Sequence, residues 1–203
     1  MESKEKNTKE KILEEALKLF AQSGYMGTSM NDIASKLGVT KAALYKHYKS
    51  KQEILDSIIE KMNELDIERV KLYEMPEGDL EKVTAEYKET AFDKIKQFTK
   101  VQFLHWTEEE FSSCFRKMMT LEQYREPQMA QLYQNYLASG PLAYMEALFS
   151  GMLGDAEKAR QTALDFYGPV FLLYSIYDGA EDKSHVIKLS LIHISEPTRR
   201  TPI

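Results

Sequence analysis

The stretch that decides the fold is Thr28-Ser-Met-Asn-Asp-Ile-Ala-Ser-Lys-Leu-Gly-Val-Thr-Lys-Ala-Ala-Leu-Tyr-Lys-His-Tyr-Lys-Ser-Lys51. At its start, Ser29 and Asp32 have the spacing of a capping box, in which each side chain bonds the backbone N–H of the other residue. Apolar residues follow at steps of three and four, which predicts a short helix over about 30–37. Gly38 ends this helix, because glycine readily adopts the left-handed backbone that stops a helix.

A second short helix is predicted directly after this turn. Thr40 is a suitable N-cap, and helical spacing continues over 41–48. Two short helices joined by a glycine-containing turn have the layout of a helix-turn-helix, whose second helix enters the major groove of DNA. Amphipathic helices predicted over 8–22 and 51–72 flank the pair, giving a three-helix head followed by a long connecting helix.

The charge distribution points to the same segment. The chain of 203 residues has a formal net charge of −5, which by itself disfavours a nucleic-acid partner. Residues 1–51, however, hold ten lysines and no arginine against five glutamates and one aspartate, a charge of +4 that leaves −9 for residues 52–203. Residues 31–51 alone hold five lysines and one aspartate. The basic density therefore lies on the two short helices.

The second short helix divides into an inner and an outer face. Leu44 and Tyr48, four residues apart, are predicted to pack inward. The outer face then carries Lys41, Ala42, Tyr45 and Lys46. Lysine can donate to guanine O6 and N7, alanine can contact a thymine methyl, and tyrosine can contact a thymine or a phosphate. Lys46, His47 and Lys51 are better placed for phosphates, which fix register without reading sequence.

The pattern resembles the DNA-binding domain of TetR-family transcriptional regulators over about residues 8–60. The resemblance is sharpest in two segments, Ile33-Ala34-x-x-Leu37-Gly38-Val39 and Leu44-Tyr45-x-His47-Tyr48-Lys49-x-Lys51. It implies a three-helix DNA-binding head and a fourth helix that links the head to a helical ligand-binding and dimerisation body. It also implies a four-helix interface formed by the last two long helices of each subunit.

Carried over position by position, the resemblance implies two sets of DNA contacts. Base contacts fall on Asn31, Lys41, Ala42 and Tyr45. Phosphate contacts fall on Thr28, Ser29, Tyr45, His47 and Lys51. Helix capping is the alternative role of Thr28, Ser29 and Thr40, and for these three residues capping and DNA contact both stay open.

Residues 76–188 are predicted to form an aromatic-rich bundle of five or six helices, with breaks near Thr107, Pro127 and Gly179. Thr107 is predicted to cap a solvated acidic helix start over 108–110. An apolar pocket for a small molecule is the functional interpretation of the bundle, and a well-packed core is the alternative. The candidate lining residues are Phe103, His105, Trp106, Cys114, Met118, Tyr124, Tyr136, Phe171 and Tyr174.

The predicted organisation is all-α. It comprises a helix-turn-helix DNA-binding domain over 1–50, a connecting helix over 51–75, and a helical ligand-binding and dimerisation domain over 76–188. The final stretch, 189–203, has two prolines and two arginines in its last seven residues and resembles translated sequencing-adapter tails. We expect it to be non-native, with a natural frayed tail as the alternative.

Other function classes have little support in the sequence. Cys114 is the only cysteine, too few for an internal disulfide or a structural zinc site, and fits a reducing cytosol. No apolar segment approaches the ~20 residues that span a bilayer, so a cytoplasmic location without a membrane partner is expected. The common nucleotide, metalloprotease and hydrolase motifs are missing, so no enzyme, cofactor or metal site is expected. An all-helical enzyme using His105 and residues 108–110, and a protein-binding adaptor, stay open as alternatives.

We therefore expect a homodimeric, sequence-specific repressor. Its two heads would bind a pseudo-palindromic double-stranded operator in successive major grooves, about 34–36 Å apart. An apolar or amphipathic small molecule entering the body is expected to favour another head spacing and so release the DNA. A ligand-responsive activator of the same fold is the alternative.

Overall fold

The computed structural model describes residues 2–90 and 92–195, which form α-helices and contain no β-strand. The predicted all-α fold is therefore confirmed. No helix in this part of the chain is both long enough and apolar enough to cross a membrane. In chain order the helices are α1 (Glu2–Ser23), α2 (Met30–Lys36), α3 (Lys41–Tyr45), α4 (Lys51–Leu72), α5 (Leu80–Glu89), α6 (Phe92–Thr107), α7 (Glu110–Glu122), α8 (Pro127–Leu137), α9 (Ser139–Leu153), α10 (Ala156–Gly179) and α11 (Lys183–Ser195).

The short helices begin where local capping predicts. The Ser29 hydroxyl accepts from the Asp32 N–H at 3.2 Å, and the Asp32 carboxylate accepts from the Ser29 N–H at 2.8 Å, which completes the capping box of α2. The Thr40 hydroxyl accepts from the Ala43 N–H at 3.2 Å at the start of α3. Gly38 joins the two helices at a φ of +66°, in the left-handed region that favours glycine.

Other boundaries differ from the sequence predictions. Helix α1 begins at Glu2 rather than near residue 8, and α3 ends at Tyr45 rather than Tyr48. Seven described helices follow α4, one or two more than predicted. Thr107 does not cap α7, because it is the last residue of α6 and its hydroxyl donates to the Phe103 carbonyl at 2.7 Å.

The first compact unit, called unit 1, comprises Met1–Arg69 and Glu110–Tyr133. Helix α7 packs along α1, and α2 packs against both α1 and α3. Each large apolar side chain withdrawn from water contributes roughly 1.5–3 kcal/mol, so the buried set supplies most of the stabilisation of this unit. Its fully buried members include Leu17, Phe20, Ile33, Leu44, Ile54, Leu55, Ile58, Met62, Phe115, Met118 and Met119.

The second compact unit, called unit 2, comprises Val70–Glu109 and Gln134–Ile203. Helix α10 packs against α9, α11 and α6, and α5 packs against α9. At the centre, the Phe103 ring stacks on Tyr174 with ring centroids 5.5 Å apart and meets Tyr177 edge-on at 6.3 Å. Such offset and edge-on pairs add stabilisation beyond the area that they bury.

These units divide the chain differently from the ranges 1–50, 51–75 and 76–188, because α7 groups with the N-terminal helices. The functional domain boundaries stay a prediction. Helix α11 continues through Leu189 to Ser195, so helical structure extends into the segment predicted to be non-native. The remainder of that segment, 196–203, lies outside the described residues, and its origin stays a prediction.

Candidate nucleic-acid interface

Helix α3 presents the predicted outer face. Leu44 is fully buried and Tyr48 is 4% exposed, so both pack inward as expected. The Lys41 ammonium lies 5.8 Å from the centre of the Tyr45 ring, within cation–π range, which favours a defined arrangement of the two exposed side chains. All four residues of the predicted outer face are exposed, namely Lys41, Ala42, Tyr45 and Lys46.

Asn31 and Thr40 are exposed as well. The Thr40 hydroxyl oxygen accepts the capping bond from Ala43, which leaves the hydroxyl proton available to a phosphate oxygen. Capping and phosphate contact are therefore compatible at Thr40.

Ser29 is exposed but already engaged. Its hydroxyl donates to the Asp32 carboxylate at 2.6 Å while accepting from the Asp32 backbone. The side-chain and backbone hydrogen bonds from Ser29 lower the pKa of Asp32, so this carboxylate stays charged at neutral pH and repels a phosphate. The structure therefore favours the capping role for Ser29.

The Thr28 side chain lies inside unit 1. It is 3% exposed, and its hydroxyl donates to the Gly24 carbonyl at 2.8 Å. A side chain with this burial and this bond does not face a phosphate, so the predicted phosphate contact of Thr28 is corrected to a structural role. Sequence alone does not distinguish the two, because the bond depends on how the turn after α1 folds.

Lys51 has also turned inward. Its ammonium donates to the carbonyl oxygens of Tyr25 at 2.5 Å and Thr28 at 2.8 Å, and lies 4.2 Å from the centre of the Tyr25 ring. Burial lowers the pKa of Lys51, while the charges of Glu122 and Glu126 act in the opposite direction. Lys51 thus holds the α1–α2 turn in this structure, and its phosphate contact stays a prediction.

His47 is half-buried next to the outer face. Its Nδ1 atom is shielded from solvent and has no hydrogen-bond partner in the described part of the chain. Of the predicted phosphate contacts, Tyr45, Lys46 and His47 therefore keep side-chain groups for which the described residues provide no internal hydrogen bond.

Comparison with known proteins identifies this segment. Residues 12–58 match the family described as bacterial regulatory proteins, tetR family. The match contains all of α2 and α3 and the start of α4. Over these residues the chain is therefore similar to the DNA-binding domain of that family.

Curated relatives match over a segment of similar length. The biofilm operon icaADBC HTH-type negative transcriptional regulator IcaR of Staphylococcus epidermidis is 42% identical over 52 residues. That alignment covers 26% of this chain and 28% of IcaR, so the sequence similarity spans little more than a quarter of the relative.

Solved structures share the fold over nearly the whole chain. A TetR-family transcriptional regulator from Bordetella parapertussis aligns with a TM-score of 0.62 at 18% identity, covering 97% of this chain and 98% of the other. AibR in complex with isovaleryl coenzyme A and operator DNA aligns with a TM-score of 0.60 at 20% identity, covering 90% and 95%. At these identities the likeness shows the fold. The matches are with regulators and bear out the prediction that the chain is not an enzyme.

The nine candidate ligand residues do not form one group. Cys114, Met118 and Tyr124 belong to unit 1, and Tyr124 is 90% exposed, so it does not line an enclosed apolar pocket. Phe171 is exposed on α10. The other five lie in unit 2, where Trp106 meets both the His105 and Tyr136 rings edge-on and Phe103 stacks on Tyr174.

The acidic segment 108–110 is exposed but not merely solvated. Glu108 accepts a hydrogen bond from the Tyr177 hydroxyl, and Glu109 lies 2.8 Å from Nδ1 of buried His105. Within unit 1, Glu110 pairs with Lys18 at 3.1 Å. No three His, Cys, Asp or Glu side chains among the described residues are grouped to hold a metal ion.

Sequence reasoning missed the buried carboxylate of Glu122 in α7. A Cβ on Gly24 would lie 1.9 Å from its Oε1, and Gly24 itself has a φ of +80°. Arg125 approaches Oε1 at 3.4 Å, while Oε2 has no partner in the described ranges. The only sequence signal for this contact was Gly24, because a glycine that ends a helix also permits another group to approach its backbone closely.

We predict that Lys51→Met lowers the free energy of unfolding by about 1–3 kcal/mol, because two partly buried carbonyls lose their charged donor. Chemical denaturation measures this loss. Lys49→Met, an exposed neighbour with the same charge change, should stay within about 0.5 kcal/mol of the parent. A Lys51→Met protein that is fully stable but shows a weaker salt dependence of DNA binding would restore Lys51 as a phosphate ligand.

Proposed function

We propose that the chain is a sequence-specific DNA-binding transcriptional regulator, acting as a homodimeric repressor that a small molecule releases from its operator. The observation that carries the proposal is the exposed face of α3, held outward by buried Leu44 and Tyr48. A short helix with lysine, alanine and tyrosine on its free face suits close approach to base edges in the major groove. A protein-binding adaptor would not need this basic face.

Two similar proteins support the proposed repression and the proposed small-molecule effector. IcaR is named as a negative transcriptional regulator, which favours repression. The AibR structure holds operator DNA together with isovaleryl coenzyme A, so one protein of this fold takes both kinds of partner. We transfer these features as a proposal, because the sequence similarity to IcaR covers only 52 residues and AibR shares only the fold.

Helix α10 offers a surface for a second copy of the chain. Leu164, Leu172 and Ile176 are 45%, 59% and 42% exposed and recur at helical spacing on one face. Gly168 lies on the same face, and a Cβ there would meet nothing within 4 Å. An apolar stripe with a small residue at its centre suits close helix packing, and in a two-fold dimer the same stripe meets itself.

Unit 2 offers the better candidate for the effector site. Its aromatic side chains include Phe103, Trp106, Tyr136 and Tyr174, which pack against one another in ring pairs. The Oε1 atom of Gln102 in the same helix as Phe103 is buried without a hydrogen-bond partner in the described residues. Apolar walls with a few orienting polar groups are typical of small-molecule sites, and an amphipathic acyl compound is our first candidate.

We predict that Lys41→Ala and Tyr45→Ala each cost about 1–3 kcal/mol of affinity for the operator, because each removes a side chain from the base-reading face. The operator would first be selected from random duplexes by the parent protein, and binding measured by fluorescence anisotropy. Lys36→Ala, on α2 and away from this face, provides a lysine control. If the Lys41→Ala/Tyr45→Ala double variant bound the operator as tightly as the parent, the assignment of base contacts to α3 would be refuted.

For the dimer, we predict that Leu172→Glu with Ile176→Glu halves the mass measured by light scattering after size exclusion. Two carboxylates on each copy would face their counterparts across the two-fold axis and would lose their hydration there. Leu153→Glu, an equally exposed leucine on α9, should leave the dimer intact. A parent protein that is already monomeric at micromolar concentration would refute the dimer.

For the effector, the single tryptophan, Trp106, serves as an intrinsic reporter in unit 2. We predict that titration with isovaleryl coenzyme A or a longer acyl analogue changes its emission and, at the same concentrations, releases operator DNA. Phe103→Ala should weaken both responses together. Full operator binding and unchanged emission throughout an acyl series would exclude this effector class.

A further inference from the structure

The last residue of α7, Glu122, places a carboxylate against the turn between α1 and α2. The Glu122 side chain is fully buried within unit 1. Its Oε1 atom occupies the space that a side chain at position 24 would need, since a Cβ on Gly24 would lie 1.9 Å from it. The turn backbone and the carboxylate are therefore packed directly against each other.

The hydrogen bonds of Glu122 do not account for its burial. A buried carboxylate is costly unless positive charge and hydrogen-bond donors surround it. Arg125 approaches Oε1 at 3.4 Å, but the Arg125 side chain is 62% exposed. The Oε2 atom accepts no hydrogen bond from any described residue. A carboxylate held in this way needs a further positive charge nearby.

The Lys51 ammonium supplies that charge. It donates to the carbonyl oxygens of Tyr25 and Thr28, which belong to the same turn. Burial lowers the pKa of Lys51, and the charge of Glu122 is the largest influence in the opposite direction, ahead of that of Glu126. The attraction between the two charges acts through the poorly solvated interior, where screening is weaker than in water.

The turn determines where α2 begins and so where α3 lies. Thr28, which provides one of the two bonded carbonyls, directly precedes Ser29, the N-cap of α2. Tyr25 is held a second time, because its hydroxyl donates to the side chain of Gln52 at 3.0 Å. Helix α2 packs against α3. A shift of the turn would therefore be passed on to the exposed face of α3.

We propose that Glu122 is a positioning residue for operator recognition: its buried carboxylate is the counter-ion of the Lys51 ammonium, and the two charges hold the turn where α3 fits the DNA. This role rests on the proposed function and extends the determinants of DNA recognition to α7, outside the helix-turn-helix. Glu122 itself touches no DNA. It supports sequence-specific binding, which requires α3 to fit the base edges, and not the general attraction to phosphates.

The test compares a neutral replacement of Glu122 with one that keeps the charge, in the full chain. Fluorescence anisotropy gives the affinity for the selected operator and for a non-specific duplex. Glu122→Gln keeps the size but loses the charge, and should lower the ratio of operator to non-specific affinity by about tenfold. Glu122→Asp keeps the charge on a shorter side chain and should stay closer to the parent. The reverse order would show that the side chain only fills space beside Gly24, and would overturn the proposal.

Glu64→Gln is the matched control, since it makes the same charge change at an exposed carboxylate of α4. It should leave the ratio unchanged, and an equal fall for Glu64→Gln and Glu122→Gln would overturn the proposal. The ratio also separates positioning from stability, because a loss of folded protein lowers both affinities by the same factor. If Glu122→Gln does not fold, Glu122→Asp decides alone: a parent-like ratio supports the role of the charge, and a fall of about tenfold overturns it.

A double-variant cycle with Lys51→Met tests whether the two charges act as a pair. Without Lys51, Glu122 has lost its counter-ion, so adding Glu122→Gln should cost little further specificity or restore part of it. Strictly additive losses of the affinity ratio would overturn the pairing. A parent protein that selects no duplex from a random pool would instead refute the proposed function itself, which keeps the two failures distinct.

Discussion

The bonds that the Lys51 ammonium donates to the carbonyls of Tyr25 and Thr28 fix the geometry on which the N-terminal domain depends. They tie the first residue of α4 to the turn that separates α1 from α2. That turn opens at Gly24, whose φ of +80° is costly for other residues. The capping box and Gly38 then set α2 and α3 in sequence, so the direction of the exposed α3 face follows from this turn. A displaced turn would move every predicted base contact together.

Helix α7 constrains the same turn from another part of the chain. The Glu122 carboxylate occupies the space beside Gly24 that a Cβ would need. Together with Glu126, it partly counteracts the lowering of the Lys51 pKa that burial causes. Helix α7 starts three residues after α6, which carries Phe103 and Trp106 of unit 2. If a ligand shifted α6, the very short connection between α6 and α7 would therefore link that shift to a helix that contacts the turn. This connectivity gives the proposed release mechanism a physical route without requiring any change within α3.

Local chemistry explains which features were predictable. The starts of α2, α3 and α4 depend on hydroxyls and carboxylates within three residues, at Ser29, Thr40 and Ser50, so spacing alone reveals them. The predicted capping role of Thr107 was wrong because a threonine hydroxyl either accepts from a following backbone N–H or donates to the carbonyl four residues back. Only the backbone conformation decides between the two. The internal bonds of Lys51 and the exposure of Tyr124 were not predictable, for a longer-range reason. Lys51 bonds residues 23 and 26 positions away, and the exposure of Tyr124 depends on how α7 and α8 pack, which periodicity does not encode.

The lysines of unit 1 differ in whether the fold already gives them an internal partner. This difference changes how the charge of +4 in residues 1–51 is interpreted. A lysine that already donates to a carboxylate or to a buried carbonyl releases few counterions on meeting DNA, because its charge is partly satisfied before binding. Lys18 and Lys51 fall in this class, whereas Lys11, Lys41 and Lys46 do not. The positive surface available to DNA is thus set by which ammonium groups the fold leaves unpaired. These groups lie on the outer face of α3 and on α1. Net charge by segment locates a nucleic-acid site, but only the internal bonding of each lysine determines how many phosphates that site can hold.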